Sequence, residues 1–219
     1  MVTDKSGETR HHSPCPLCGS ESVLHKALEK VFLCSLCALL FKDETLHLTP
    51  FQEKERYSLH NNCVDDPAYQ SHLKKITTPL CHKLLKASSG LDFGCGPGPA
   101  VSFLMEKEGH TCLNYDPFFY PQDLRNMTFD FITSTEAVEH FYYPRKEFEF
   151  IFQKLKPKAW LAIMTQLYPE DVSASWWYLR DPTHVVFYNK TTFQWIAQNW
   201  ACQYEVLGDN IILIQKMGD

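Results

Sequence analysis

The sequence predicts an α/β protein: a Rossmann-like sheet of seven strands, mostly parallel and closed by a C-terminal antiparallel hairpin, with a small N-terminal zinc ribbon. Three observations carry this expectation. From Leu91 onward, short apolar runs alternate with stretches of helical spacing, the pattern of a parallel sheet covered on both faces. Three glycines at alternate positions, Gly94, Gly96 and Gly98, join the first of those strands to the following helix. Two Cys-x-x-Cys pairs, Cys15/Cys18 and Cys34/Cys37, stand near the N-terminus with fifteen residues between them.

The chain has 219 residues, enough for one full domain and a small appendage. Hydrophobic residues at 44% and aromatics at 14% suffice for a packed core, and a net charge of -5 gives no general attraction to nucleic acid or anionic membrane. No apolar run approaches the roughly 20 residues of a membrane span. Nine cysteines, an odd number with four in tight pairs, suit metal-bound thiolates in a reducing compartment better than disulfides. The polar N-terminus lacks the apolar core of a signal peptide. Together these point to the cytoplasm.

In chain order, residues 1–13 read as a disordered tail with nothing apolar to anchor it. Residues 14–45 form the ribbon. Each Cys-x-x-Cys knuckle is a tight turn aiming two sulfurs at one tetrahedral ion, and Val23–His25 and Val31–Leu33 alternate enough to be strands. Four thiolates close the coordination sphere, so this Zn2+ is expected to be structural, replacing a core too small to fold alone. A redox dithiol is the rival reading.

Residues 46–87 read as a helical linker or lid. The charged piece Phe51–Tyr57 is expected to be a surface helix, and Tyr57, His60, Asn61 and Asn62 either bridge two domains or fold over a pocket. Leu73, Ile76, Leu80, Leu84 and Leu85 recur at helical spacing from Pro67 to Ala87, with Pro79 expected to kink or split the helix.

Residues 88–219 hold the main domain. A strand begins at Leu91, a helix covers Pro99–Glu108 before Gly109, and His110–Tyr115 makes a second strand ending at Asp116. Phe118–Met127 is short for a full strand and helix, so that unit is expected to be trimmed. A buried strand at 129–134, a helix at 144–156 and a strand at 160–165 follow. Last come a helix at 190–199 capped by Asn189 or Thr191 and a hairpin around Gly208-Asp209.

The glycine spacing differs from a phosphate loop, because no Lys-Ser/Thr follows, and from the dinucleotide Gly-x-Gly-x-x-Gly. Asp92-Phe93-Gly94-Cys95-Gly96-Pro97-Gly98 resembles the first motif of class I S-adenosyl-L-methionine (SAM)-dependent methyltransferases. The run Glu136-Ala137-Val138-Glu139-His140 is similar to one in ubiquinone-biosynthesis O-methyltransferases. Lys156-Pro157 precedes a strand as in that family, although Lys158-Ala159 replaces its usual glycine pair. The resemblance implies SAM as cofactor, held by Asp92, Gly94, Gly96, Gly98, Asp116 and Glu136. In that family the positions matching Glu136, Glu139 and His140 hold a divalent ion near the acceptor, the plain alternative being that a helix start favours acidic residues, and His140 is also a candidate catalytic residue. Asp116 suits the two ribose hydroxyls, since one carboxylate accepts from both.

His184, in the polar loop Arg180–His184, is either the base that takes a proton from the acceptor or a buried structural histidine. Trp176, Trp177 and Tyr178 either line an aromatic acceptor pocket or pack beneath the sheet edge. The leading expectation is methylation of a small molecule at oxygen, nitrogen or carbon. A ribbon fused to this domain is also similar to ribosomal RNA methyltransferases, with Lys26, Lys30 and Lys42 as a local basic patch, but no basic stripe accompanies it. A non-catalytic module that binds SAM or a partner is the third reading. The chain says nothing of oligomeric state.

Overall fold

The computed structural model describes residues 2–3, 9–10, 12–59 and 63–218. Its centre is a six-stranded sheet. The strands are β7 (Ser89–Phe93), β8 (Thr111–Tyr115), β9 (Phe129–Thr135), β10 (Leu155–Met164), β12 (Cys202–Leu207) and β13 (Ile211–Lys216), in the order β12-β13-β10-β9-β7-β8. Strands β8, β7, β9 and β10 run parallel, and β13 and β12 are added antiparallel.

The seven-strand expectation therefore falls by one. The segment between β8 and β9 crosses as a loop with a single bridge, Asp116 to Tyr120, because about a dozen residues cannot hold a strand and a covering helix together.

Side chains alternate across the sheet with period two, and each face has its own helices. Phe131, Ala162, Met164 and Leu213 meet α2 (Pro67–Cys81) and α3 (Ala100–Lys107). Ile132, Leu161, Ile163 and Ile212 meet α4 (Pro144–Lys154) and α5 (Lys190–Asn199) on the other face. Helix α2 runs through Pro79 and stops at Cys81, six residues before the expected Ala87. Pro79 lies in the last turn, where the ring interrupts little of the hydrogen-bond ladder. Asp66 and Asn189 cap their helices with side-chain oxygens, Asn189 in a reciprocal capping box. Lys158 adopts φ +64, the left-handed conformation that a glycine would take there at less cost.

The ribbon is a second sheet, and it is not self-contained. Strands β3 (His12–Pro14), β4 (Glu21–Leu24), β5 (Val31–Cys34) and β6 (Leu40–Lys42) pair antiparallel, and β11 (Val186–Phe187) from the far end of the chain pairs with β6. The ribbon residues Leu17, Phe32, Leu39 and Phe41 belong to the same apolar cluster as Ile132 and Phe148. Tyr168 and Thr192 both donate hydroxyl hydrogen bonds to the Ala38 carbonyl. His12 and Ser13, expected in the tail, are strand residues because pairing with β4 satisfies their backbone. Strands β1 (Val2–Thr3) and β2 (Thr9–Arg10) pair with each other.

Among the described residues no helix is long and apolar enough to cross a membrane. Gly90 is fixed by packing: a Cβ there would stand 2.0 Å from the Phe131 ring.

Candidate active site

The carboxyl ends of the parallel strands open into a cavity of about 640 Å³. In an open α/β sheet this is the crevice where ligands bind. The glycine loop forms one wall. The N–H groups of Gly94 and Cys95 both donate to the Tyr115 carbonyl, at 2.8 and 3.2 Å, which ties the loop to the end of β8. Gly94 has φ +78, and a Cβ on it would lie 2.6 Å from the Cβ of Ala137. The loop is thus a cradle whose floor is the segment after β9, and only a bare Cα fits. Gly96 has φ +62 with open space beside it.

Asp116 is buried at the same wall. Its Oδ2 accepts the Gly96 N–H at 3.1 Å, and Oδ1 accepts the N–H groups of Phe118 and Phe119 at 2.8 and 3.1 Å. A carboxylate oxygen accepts about two hydrogen bonds, so Oδ2 keeps one position for a ribose hydroxyl. This is narrower than the expected bidentate grip, because turn amides occupy Oδ1. The cradle, the buried carboxylate at the second strand end and the cavity size all fit SAM.

Asp92 and Gly98, expected to hold cofactor, are not among the residues lining the cavity. Asp92 lies under the loop and accepts the Thr133 hydroxyl at 2.8 Å, while the Gly98 carbonyl receives the Ala100 N–H at the start of α3. Burial pushes the Asp92 carboxyl up to about 7, against an ordinary value of 3.8. The folded chain then holds an extra proton between about pH 4 and 7, so stability falls as pH rises through that window. Asp92→Asn is expected to flatten that slope, worth on the order of 4 kcal/mol at full effect. Melting temperatures across the range would check it; an unchanged slope would contradict it.

The far wall is acidic and aromatic. Glu136 follows β9 with φ +48, uncommon for a residue bearing a Cβ. Its N–H donates to the Met164 carbonyl, and its carboxyl reaches the Tyr178 hydroxyl at 3.0 Å. Glu139, fully buried, contacts the same Tyr178 hydroxyl very closely and accepts the Thr165 hydroxyl at 2.9 Å. His140 and His184 stand beside it with ring centroids 4.9 Å apart. Each has its Nδ1 against a backbone carbonyl, Thr183 at 2.9 Å and Tyr178 at 2.8 Å. A carbonyl only accepts, so both Nδ1 atoms carry the hydrogen and both Nε2 atoms are bare lone pairs. Burial lowers both histidines, His184 to about 4 with His140 adding to the effect, so the rings are neutral near pH 7.

The loop bearing His184 is held from two sides. Asp181 accepts the N–H and hydroxyl of Thr183 at 3.0 and 2.6 Å and pairs with Arg56 at 3.1 Å. Lys42, on the ribbon, donates its ammonium to the Asp181 carbonyl at 2.9 Å and its N–H to the Val185 carbonyl at 2.8 Å. That inward course takes Lys42 out of the expected basic patch.

Helix α1 (Pro50–Ser58), expected on the surface, instead turns one face into the cavity. Glu53 is buried there and accepts the Tyr57 hydroxyl at 2.9 Å, and the Tyr57 ring meets His140 edge-on at 5.2 Å. The i, i+4 spacing of Glu53 and Tyr57 was the available signal, hidden among the charges around it. His60, Asn61 and Asn62, the polar core of the expected lid, lie outside the described residues. Of the expected aromatic pocket, neither Trp176 nor Trp177 lines the cavity: Trp176 packs against Phe187, and Trp177 is exposed. Tyr178 is buried and does not line the cavity, but it backs the site, its hydroxyl against Glu136 and its ring 4.1 Å from that of His184.

Away from the cavity, the ribbon sulfurs converge. Cys15 and Cys37 lie 3.6 Å apart and Cys18 and Cys34 3.3 Å apart, all four within 4.8 Å of one another. A tetrahedral ion with Zn–S bonds near 2.3 Å separates its sulfurs by about 3.7 Å, so the set fits zinc with only small adjustment.

Comparison with known proteins gives one family and one fold. The family described as Methyltransferase domain matches residues 68–205. No curated protein matches the chain. Among solved structures, an O-methyltransferase family protein from Burkholderia thailandensis is 15% identical with a TM-score of 0.52, the match covering 78% of this chain and 64% of that one. PH0226 protein from Pyrococcus horikoshii is 16% identical with a TM-score of 0.49, covering 75% and 99%. A SAM-dependent methyltransferase from Thermotoga maritima is 14% identical with a TM-score of 0.48, covering 76% and 95%.

Proposed function

Because this chain belongs to the methyltransferase-domain family of SAM-dependent enzymes, we propose that it methylates a small-molecule acceptor held between the glycine loop and the pair His140/His184. The observation that carries this reading is the single cavity joining those two ends. About 640 Å³ is in the range of small-ligand sites. No lysine or arginine is among the described residues lining it, whereas Glu53, Asp116, Glu136, Glu139 and Glu147 are. Phosphate-bearing acceptors are disfavoured by that charge, which argues against RNA.

In this reading Gly94, Gly96 and Asp116 hold the cofactor, with Glu136 beside them, and Asp92 and Gly98 support the loop from behind. When bound, SAM supplies a methyl group on a sulfonium with a good leaving group. The protein's part is positioning and removal of one proton. The acceptor's attacking atom forms its bond to the methyl carbon as the carbon–sulfur bond breaks. Its proton goes to the bare Nε2 of His184 or His140. The four ribbon thiolates hold a structural zinc, with residues 14–45 as ribbon, 46–87 as linker and 88–219 as the methyltransferase domain.

Single His184→Ala and His140→Ala variants test the assignment. The variant that removes the accepting ring is expected to lower kcat by about 100-fold or more, the usual loss for a missing acid–base group, and the other variant to lower it less. SAM affinity should stay within about twofold of the parent, because neither residue belongs to the glycine loop or to Asp116. A His184→Ala variant that turns over as fast as the parent would remove His184 from the chemistry.

A further inference from the structure

Glu136, Glu139, Tyr178 and Thr165 make more contacts than their evident hydrogens supply. The Tyr178 hydroxyl lies within hydrogen-bond reach of Glu136 Oε2, Glu139 Oε1 and Thr165 Oγ1. Thr165 gives its own hydrogen to Glu139 Oε2. Tyr178 has one hydrogen to donate, and its closest contact, Glu139, takes it. The contact of 3.0 Å to Glu136 then needs a hydrogen from Glu136 itself. Two carboxylates meeting at one hydroxyl, in a wall with no Lys or Arg, repel unless they share a proton.

The pair also sits next to the place where a positive charge must arrive. Ala137, adjacent to Glu136, forms the floor of the Gly94 cradle. We propose that the Glu136–Glu139 pair, linked through Tyr178, distinguishes SAM from its product: it releases the shared proton to solvent when the sulfonium enters and recovers it when the neutral thioether takes its place. The proposal rests on the SAM-binding reading above.

The two ligands share the same adenosine and amino-acid groups and differ by the methyl group and one positive charge, so the difference between them isolates the sulfonium. With Glu136 ionised, the sulfonium has a counter-charge at the cavity wall. After transfer, the ionised pair faces a neutral sulfur and takes a proton back, which removes the attraction and favours exit of the product. Burial and Glu139 push the Glu136 carboxyl up to about 8, so the proton is present near neutral pH. The other titratable groups facing Glu136 are His72 and Tyr69 on α2, Tyr178, and His140 beside Glu139.

Calorimetric titration of the zinc-loaded full chain with SAM and with S-adenosylhomocysteine, in two buffers of different ionisation heat near neutral pH, tests this. SAM binding should release up to one proton and S-adenosylhomocysteine close to none. The SAM Kd should tighten as pH is raised, by up to about tenfold per unit, the ceiling for one linked proton. The product's Kd should stay nearly flat. Glu136→Gln should abolish the difference while both ligands still bind, and Tyr178→Phe should reduce it. Equal release for both ligands, or none with SAM, would overturn the sensor and leave the methyltransferase reading intact. Failure of both ligands to bind would sink that reading and this inference with it.

Discussion

Stripping zinc from the ribbon is expected to unfold the whole chain in one transition and to abolish methyl transfer. The ribbon has no core of its own: its cysteines Cys15, Cys34 and Cys37 are buried in the same cluster as Phe148, Ile163 and Phe193. Strand β6 is the partner of β11, two residues beyond His184, and Lys42 holds the backbone on both sides of that histidine. Structural zinc contributes on the order of 10–16 kcal/mol in small domains. A typical domain's total stability is about 5–15 kcal/mol, so losing the ion removes an amount comparable to the whole. Chelation, or Cys34→Ser, should therefore lower the single melting transition seen by circular dichroism and eliminate activity together. A methyltransferase part that melts at its original temperature after zinc loss would contradict this, and would make the ribbon a separable module.

Gly94→Ala is expected to weaken SAM binding by about 10- to 100-fold. The left-handed backbone there costs a residue with a Cβ about 1–2 kcal/mol, and tenfold in affinity is about 1.4 kcal/mol. The added carbon would also stand 2.6 Å from the Ala137 Cβ, which forces the loop away from its floor. Gly109→Ala is the control. It has φ +85 but nothing within 4 Å, so it carries the backbone strain without the collision and should leave SAM affinity unchanged. Calorimetric Kd values for the two variants separate the effects; equal Kd values in both would show that the cradle contact is irrelevant to the cofactor.

Much of the fold was legible because its signals are local. The glycine loop, the capped helix at Asn189 and the turn at Gly208 each depend on a few neighbouring residues, and all appear where expected. The cysteine pairs likewise announce their own meeting point. What the sequence hid depends on residues far apart in the chain. Nothing local to Val186 and Phe187 says that they complete the ribbon sheet, or that Lys42 and Arg56 both converge on Asp181. Helix α1 looked like a surface helix because charged residues surround Glu53, yet the face bearing Glu53 and Tyr57 is the one turned inward. Asp116 is a local exception, its hidden partners lying only two and three residues away. Its place at the end of β8 was readable, but the turn amides of Phe118 and Phe119 that share its carboxylate follow from the missing third strand.

The central claim is methyl transfer to a small molecule. Its most direct test is S-adenosylhomocysteine formation from SAM by the zinc-loaded chain, supplied separately with the low-molecular-weight fraction of a cell extract and with purified RNA. Turnover is predicted with the small-molecule fraction, together with a product heavier by one methyl group in mass spectrometry, and none with RNA. Turnover confined to RNA, or SAM bound without turnover in either fraction, would contradict it.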